Sequence, residues 1–254
     1  MRRIFITGAS TGIGEALAHH YAGPETALGL FARRRDLLER LAVRLPGTSA
    51  LYPADITDSA AIAAAAQDYT ARFGAPDLVI ANAGISIGTH GDELQDIEKL
   101  RRVLDVNVAG LAATLAAFAP AMRAAGGGTL CGIASVAGFR GLPGAGAYSS
   151  SKAAAIAWLE ALRIELAGSG VSVVTICPGY IDTPMTQVNK YRMPFLISAD
   201  EAAKRCARAI EAKRRLAVIP WQMALVSLLL RALPGWLYDR LAARAPRKPR
   251  DLPL

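Results

Sequence analysis

Residues 3–15 read Arg3-Ile4-Phe5-Ile6-Thr7-Gly8-Ala9-Ser10-Thr11-Gly12-Ile13-Gly14-Glu15. A short apolar run gives way to glycines and then to a segment of helical period, which predicts a strand, a tight turn and a helix in succession. Gly8, Gly12 and Gly14 let the chain turn sharply. They also let a pyrophosphate approach the helix N-terminus, where free N–H groups and the helix dipole favour negative charge. The spacing is Gly-x3-Gly-x-Gly instead of the commoner Gly-x-Gly-x2-Gly. Taken alone, such a loop is also an ordinary strand-to-helix turn; its place at the opening of a repeating α/β pattern argues for a dinucleotide.

That pattern continues outward from the loop. Apolar runs at 3–7, 27–32, 49–54, 78–81, 129–134, 171–177 and 216–219 read as strands, and their near-continuous hydrophobicity suits a parallel sheet covered on both faces. Segments of helical period at 13–22, 36–45, 59–73, 97–124, 147–168 and 200–213 lie between them. Asp36 with Glu39 resembles a capping box, and Asp58-Ser59 opens the alanine-rich helix. The expectation is a single doubly wound, Rossmann-like α/β domain over residues 1–254 with about seven parallel strands.

The chain has 254 residues, 52% of them hydrophobic and 20% charged, which excludes intrinsic disorder. Its longest charge-free run, 106–122, holds Asn107, Gly110 and Pro120 and falls short of the roughly 20 residues of a membrane span, so no transmembrane helix is expected. The apolar stretch at 4–6 is too short for a signal-peptide core, and the mature protein is expected to begin near Met1. Cys131, Cys177 and Cys206 are an odd number at wide spacing and suit neither a disulfide framework nor a zinc site, which points to a reducing, cytoplasmic setting. His19, His20 and His90 lack metal-ligand spacing, and no metal site is expected. The net charge of +8 is uneven: residues 1–200 hold 17 Lys/Arg against 17 Asp/Glu, and residues 201–254 hold 12 against 4. Nucleic-acid binding would spread its cations over one folded face with aromatics between them, so no nucleic-acid partner is expected.

Tyr148-Ser149-Ser150-Ser151-Lys152 is a second informative cluster, with Ser135 thirteen residues before the tyrosine at the end of a predicted strand. On a helix, Tyr148 and Lys152 face the same side. A neighbouring ammonium stabilises tyrosinate and lowers a phenol pKa from about 10 toward working pH, which a tyrosine needs to serve as general acid or base.

With these residues in hand the chain resembles the short-chain dehydrogenase/reductase family. The matching signatures are Thr7-Gly8-x3-Gly12-x-Gly14, Asp55, Asn82-Ala83-Gly84, Asn107, Ser135, Tyr148-x3-Lys152 and Pro178-Gly179 with Thr183, in family order over residues 7–183. Ala81 departs from the pattern, since many members carry a second asparagine there. The resemblance implies strand order 3-2-1-4-5-6-7 and a catalytic tetrad. Tyr148 would exchange a proton with the substrate oxygen, Ser135 would orient that oxygen, Lys152 would hold the nicotinamide ribose and lower the tyrosine pKa, and Asn107 would anchor a water linking Lys152 to solvent. It implies cofactor contacts from Gly8, Ser10, Thr11, Gly12, Ile13, Gly14, Arg33, Arg34, Asp55, Asn82, Ala83, Gly84, Tyr148, Lys152, Pro178, Gly179, Ile181 and Thr183. It also implies a homo-oligomer, a dimer or tetramer formed through the helices at 97–124 and 147–168.

The second strand ends in Ala32-Arg33-Arg34-Arg35, where members of the family that use NAD commonly place an acid. Guanidinium groups suit a 2′-phosphate, and three cations before a helix N-terminus oppose its dipole unless an anion sits nearby. NADP is therefore the expected cofactor, with Arg33 the leading contact because it follows the strand directly; NAD is the alternative. The expected function is NADP-dependent hydride transfer on a carbonyl or secondary alcohol, a bulky apolar one included. The rivals are an NAD-linked dehydrogenase and a non-catalytic dinucleotide-binding regulator. Residues 182–199 are expected to form a substrate lid, with Tyr180, Met185, Met193 and Phe195 as candidate substrate contacts. Residues 220–254 form an apolar and then basic extension, with a helix expected at 221–233. It is expected to cover substrate, a neighbouring subunit or, peripherally, a membrane surface.

Overall fold

The computed structural model describes residues 1–189, 191–245 and 247–250. Seven strands form one sheet: β1 (Arg2–Thr7), β2 (Thr26–Ala32), β3 (Thr48–Pro53), β4 (Leu78–Ala81), β5 (Gly128–Ile133), β6 (Val171–Pro178) and β7 (Leu216–Ile219). Every pairing is parallel and the spatial order is β3-β2-β1-β4-β5-β6-β7, as expected. The order reverses between β1 and β4, so a crevice opens beyond their C-terminal ends.

Helices cover both faces. α1 (Gly12–Tyr21), α2 (Arg35–Arg44) and α8 (Ala199–Glu211) bury Leu17, Leu38, Leu41, Cys206 and Ile210 on one side. On the other, α3 (Ser59–Phe73), α5 (Gly110–Ala124) and α6 (Gly146–Glu165) bury Ile62, Leu115, Phe118 and Leu159. Phe5, on β1, packs edge-on against Tyr69 of α3 at 5.5 Å, and the buried Tyr69 hydroxyl is satisfied by donating to Ala27 O at 2.9 Å. The three cysteines are free and buried, and among the described residues no His, Cys or acidic cluster could hold a metal.

Several local expectations change. The Asp36–Glu39 capping box does not form. The helix begins a residue earlier with Arg34 at its N-cap, and Asp36 and Glu39 pair with Arg40 and Arg35 along the helix. Asp58 does cap α3, accepting from Ala61 N at 3.0 Å. The helix expected at 97–124 is α4 (Ile97–Leu104), a π turn at Asp105–Ala109, and α5. By length and composition the continuous helical stretch Leu94–Ala124 could cross a bilayer, but half of its most apolar window is buried inside the fold, as in a core helix.

Beyond β6, Ile181–Asp182 and Ile197–Ser198 pair as two-residue parallel strands around α7 (Pro184–Gln187), which Thr183 and Thr186 cap reciprocally. After β7 come α9 (Trp221–Ala232) and α10 (Gly235–Ala242). Arg140 clamps them, donating to the Arg231 and Leu233 carbonyls at 3.4 Å each and lying over the Tyr238 ring. The chain then returns across the loop that comes after β4. Pro249 O accepts from Gly88 N, Lys248 Nζ donates to Ser86 Oγ at 2.9 Å, and Arg250 pairs with buried Asp96 at 3.0 Å.

Candidate active site

The crevice between β1 and β4 begins with the glycine-rich loop. Gly8 has φ +66°, a conformation that side chains disfavour, and a Cβ there would lie 2.8 Å from Ala83 Cα. Asn82, at the end of β4, closes this joint: its Nδ2 donates to the carbonyls of Thr7 and Gly8 at 3.1 and 3.2 Å. Thr7 Oγ1 in turn accepts from the Asn82 and Ala83 amides. Two strand ends are thus sewn together by one amide and one hydroxyl. Thr7 had a place in the motif, but nothing in the sequence showed this bonding role.

One cleft, about 1280 Å3 including its open mouth, is lined by Gly8, Ser10, Thr11, Gly12, Ile13, Arg33, Arg34, Asp55, Asn82, Ala83, Gly84, Ser135, Tyr148, Lys152, Pro178, Gly179, Ile181 and Thr183. Two expected site residues are not on its wall. Gly14 stands behind the loop, where a Cβ would sit 2.2 Å from Gly8 O, so its role is close packing of helix on loop. Asn107, fully buried in the π turn, also stands one layer back. Its Oδ1 accepts from Ile85 N at 2.8 Å, and its Nδ2 donates to Ile85 O and Ser151 Oγ, each at 2.9 Å. The side chain therefore pairs with Ile85 as a neighbouring strand would, and ties the loop after β4 to α6.

Arg34 bridges β2 to the glycine loop, donating to Thr11 Oγ1 at 3.2 Å and Ser10 Oγ at 3.4 Å. Arg34 is thus tied to the loop, whereas Arg33, the expected leading contact, lines the cleft without such a bond. Asp55 accepts from Arg102 at 2.8 Å and from Thr57. Burial works against its charge, yet the Thr57 and Arg102 hydrogen bonds hold the carboxyl below the usual range. Arg102 also lines the cleft; no local pattern pointed to it, because its partner lies 47 residues away.

At the other end, Ser135 leads out of β5 and α6 carries Tyr148 and Lys152. The Lys152 ammonium is buried, donates to Ile133 O at 2.8 Å and lies 5.8 Å from the Tyr148 ring centroid. Burial lowers the lysine to about 8. Burial likewise raises Tyr148 above its ordinary value, opposed by a hydrogen bond with Ser135. Desolvation thus dominates the phenol in the protein alone, where the Lys152 hydrogen bond goes to a backbone carbonyl. Of the four candidate substrate contacts, Met185 lines the cleft with Pro184 and Thr186. Tyr180 instead pairs with the Tyr191 ring at 6.4 Å, Met193 Sδ accepts from Asn189 and Phe195 is exposed.

The residues fit a dinucleotide. Backbone kept bare at Gly8 and Gly12 leads into the α1 N-terminus, with hydroxyl and guanidinium donors at one end of the cleft and a buried ammonium beside a phenol at the other. Fold and cleft together are those of a nicotinamide-dinucleotide oxidoreductase. The short chain dehydrogenase profile matches residues 2–193. An uncharacterized oxidoreductase of Myxococcus xanthus is 37% identical over 248 residues, 96% of this chain and 97% of that one. Among solved structures, an alcohol dehydrogenase from Thermococcus sibiricus complexed with 5-hydroxy-NADP has TM-score 0.76 at 28% identity, covering 86% of this chain and 96% of that one. The 3-ketoacyl-(acyl-carrier-protein) reductase of Brucella melitensis complexed with NADH has TM-score 0.76 at 26% identity, covering 85% and 94%. The chain belongs to the short-chain dehydrogenase/reductase family, and it is an enzyme acting on alcohol and carbonyl groups.

Proposed function

We propose that the protein is an NADP-dependent reductase of a bulky, apolar carbonyl compound, or the dehydrogenase of the corresponding secondary alcohol. The observation that carries this reading is the convergence of Ser135, Tyr148 and Lys152 on the cleft that the glycine-rich loop and Arg34 enter from the other end. The nicotinamide, when bound, supplies or accepts the hydride. The chain's own residues do the rest. The Tyr148 hydroxyl gives its proton to the substrate oxygen in reduction and recovers it in oxidation, and Ser135 Oγ holds that oxygen in line. Lys152 holds the ribose hydroxyls and, once they order it, stabilises tyrosinate against the burial that otherwise opposes it. Asn107 acts as a positioning residue through Ile85 and Ser151. Arg33 and Arg34 supply guanidinium donors for a 2′-phosphate at the place where an acid would suit the free hydroxyl of NAD. Ile85, Pro184 and Met185 make the substrate side apolar, and residues 182–199, of which 183–186 line the cleft and 190 lies outside the described residues, serve as its lid.

We further read the protein as a cytoplasmic homo-oligomer. Three free, buried cysteines support a reducing compartment. Exposed Ala153, Ala157 and Ile164 on α6 offer a close-packing face to a second copy.

The test is oxidation of NADPH and NADH against a panel of aldehydes, aliphatic ketones, ketosteroids and long-chain 3-oxoacyl compounds, with wild type and Tyr148→Phe. Tyr148→Phe is expected to lose about 10²–10⁴-fold in kcat with cofactor affinity nearly intact. Retention of more than about a tenth of the wild-type rate would remove Tyr148 from its role.

A further inference from the structure

Six of the sixteen exposed large hydrophobic side chains among the described residues fall in α9 and α10: Trp221, Leu225, Leu228, Leu229, Trp236 and Leu241, each 58–71% exposed. On α9 they recur at i, i+4, i+7 and i+8, so they form one stripe, and Ala232 extends it. The opposite face is used internally: Met223 and Ser227 are buried, and the Met223 side chain sits where a Cβ on Gly179 would be. Both faces of this short helix are therefore apolar, and only one has a partner within the fold.

The charges around the stripe are predominantly positive. α9 contains no acid and carries Arg231 near its end; α10 adds Arg240, and Arg244 comes just after it. None of these three arginines pairs with a carboxylate among the described residues, and Asp239 is the single acid between residues 213 and 250. A two-fold contact with another copy would bring these cations together with little to offset them. An anionic lipid surface complements them, and two exposed tryptophans, Trp221 at the start of the stripe and Trp236 on α10, suit the boundary between headgroups and acyl chains.

We infer that the α9–α10 segment is a membrane-docking surface, which seats the enzyme peripherally on an anionic bilayer with the α9 stripe of Trp221, Leu225, Leu228 and Leu229 in the interface. At twelve residues α9 lies in the surface and does not span it. Because α9 packs on Gly179, which also lines the cleft, docking sets the catalytic cleft beside the lipid.

The test is sedimentation of the full chain with vesicles of phosphatidylcholine alone or with about 30% phosphatidylserine, at low and high salt. Two variants are compared, Leu225→Ser/Leu228→Ser/Leu229→Ser and Arg240→Gln/Arg244→Gln, with melting temperature and solution mass recorded for each. The expected result is binding to the anionic vesicles that weakens with salt, falls about tenfold or more in each variant and is weak on phosphatidylcholine alone. Wild type remaining in the supernatant at low salt overturns the inference, as does equal binding to both vesicle types. A leucine variant that converts a dimer into a monomer, with no vesicle binding by wild type, assigns the face to a subunit contact instead. Should the leucine variant fail to fold, the arginine variant decides alone: unchanged binding refutes the proposal.

Discussion

Replacing Asn107 with alanine removes three hydrogen bonds, two to the backbone of Ile85 and one to Ser151, from a side chain with no exposure to solvent. At about 1 kcal/mol net for each bond, the loss is about 3 kcal/mol. The unfolding entropy of a 254-residue chain, about 2.1 cal/mol/K per residue, converts this to a fall of roughly 6 °C in melting temperature. Asn107→Asp provides a sharper contrast. One carboxylate oxygen still accepts from Ile85 N, but the other faces Ile85 O, where Asn107 has a donor 2.9 Å away. Burial and the facing Ile85 carbonyl penalise the carboxylate at neutral pH by more than the neighbouring Lys152 ammonium, which donates to Ile133 O, offsets, so its folded pKa is raised above that of the unfolded chain. Protonation restores a donor, and stability relative to wild type recovers as pH falls. Calorimetry should therefore find the aspartate variant nearer to wild type at pH 5 than at pH 8, while the alanine deficit stays constant. Because Ile85 lines the cleft, both variants should also lose turnover. An alanine variant that melts within about 1 °C of wild type with normal activity would refute the positioning role.

Replacing Arg33 and Arg34 with alanine should weaken NADPH by about tenfold more than NADH, with Arg34→Ala the costlier single change because it also releases Ser10 and Thr11. Titration with both cofactors checks this, and equal losses return the arginines to the status of a solvated charge run. Lys152 begins to lose its proton as pH rises through about 8. Cofactor affinity that depends on the ammonium should therefore decline above that pH, approaching tenfold per pH unit, and Lys152→Met should remove the slope. A flat profile for wild type between pH 7 and 9.5 would contradict the ribose contact.

The seven strands were legible because a parallel sheet covered on both faces needs unbroken apolar runs, such as Leu28, Leu30 and Phe31 on β2. The residues grouped at the cleft were legible for a related reason: the glycine loop and Tyr148-x3-Lys152 are local patterns whose spacing survives folding. What stayed hidden depends on partners far along the chain. Arg102 meets Asp55 across 47 residues, and Asn82 meets Gly8 across 74. Asp36 looked like a cap partner within its own segment, but the helix started one residue earlier and the carboxylate found Arg40 instead. Gly14 carried the motif correctly while the reason for a glycine there, contact with the Gly8 carbonyl, belongs to packing. Tyr180 has an aromatic partner in Tyr191, which periodicity does not reveal.

The π turn at Asp105–Ala109 constrains the length of the gene as well as its letters. Such a turn is a helix holding one residue more than its α-helical period accommodates. Deleting a single codon in this stretch would regularise the helix and leave α5 in nearly its present phase against α4, because the π turn is what absorbs the extra residue. The core face of Leu111, Leu115, Phe118 and Met122 would keep its place, and what would go is the wide turn from which Asn107 reaches Ile85 and Ser151. Between Val103 and Leu111 a one-residue deletion therefore spares the buried core and gives up the seat of the buried amide, whereas a further one-residue insertion turns the core face of α5 by about 100° unless a second bulge absorbs it.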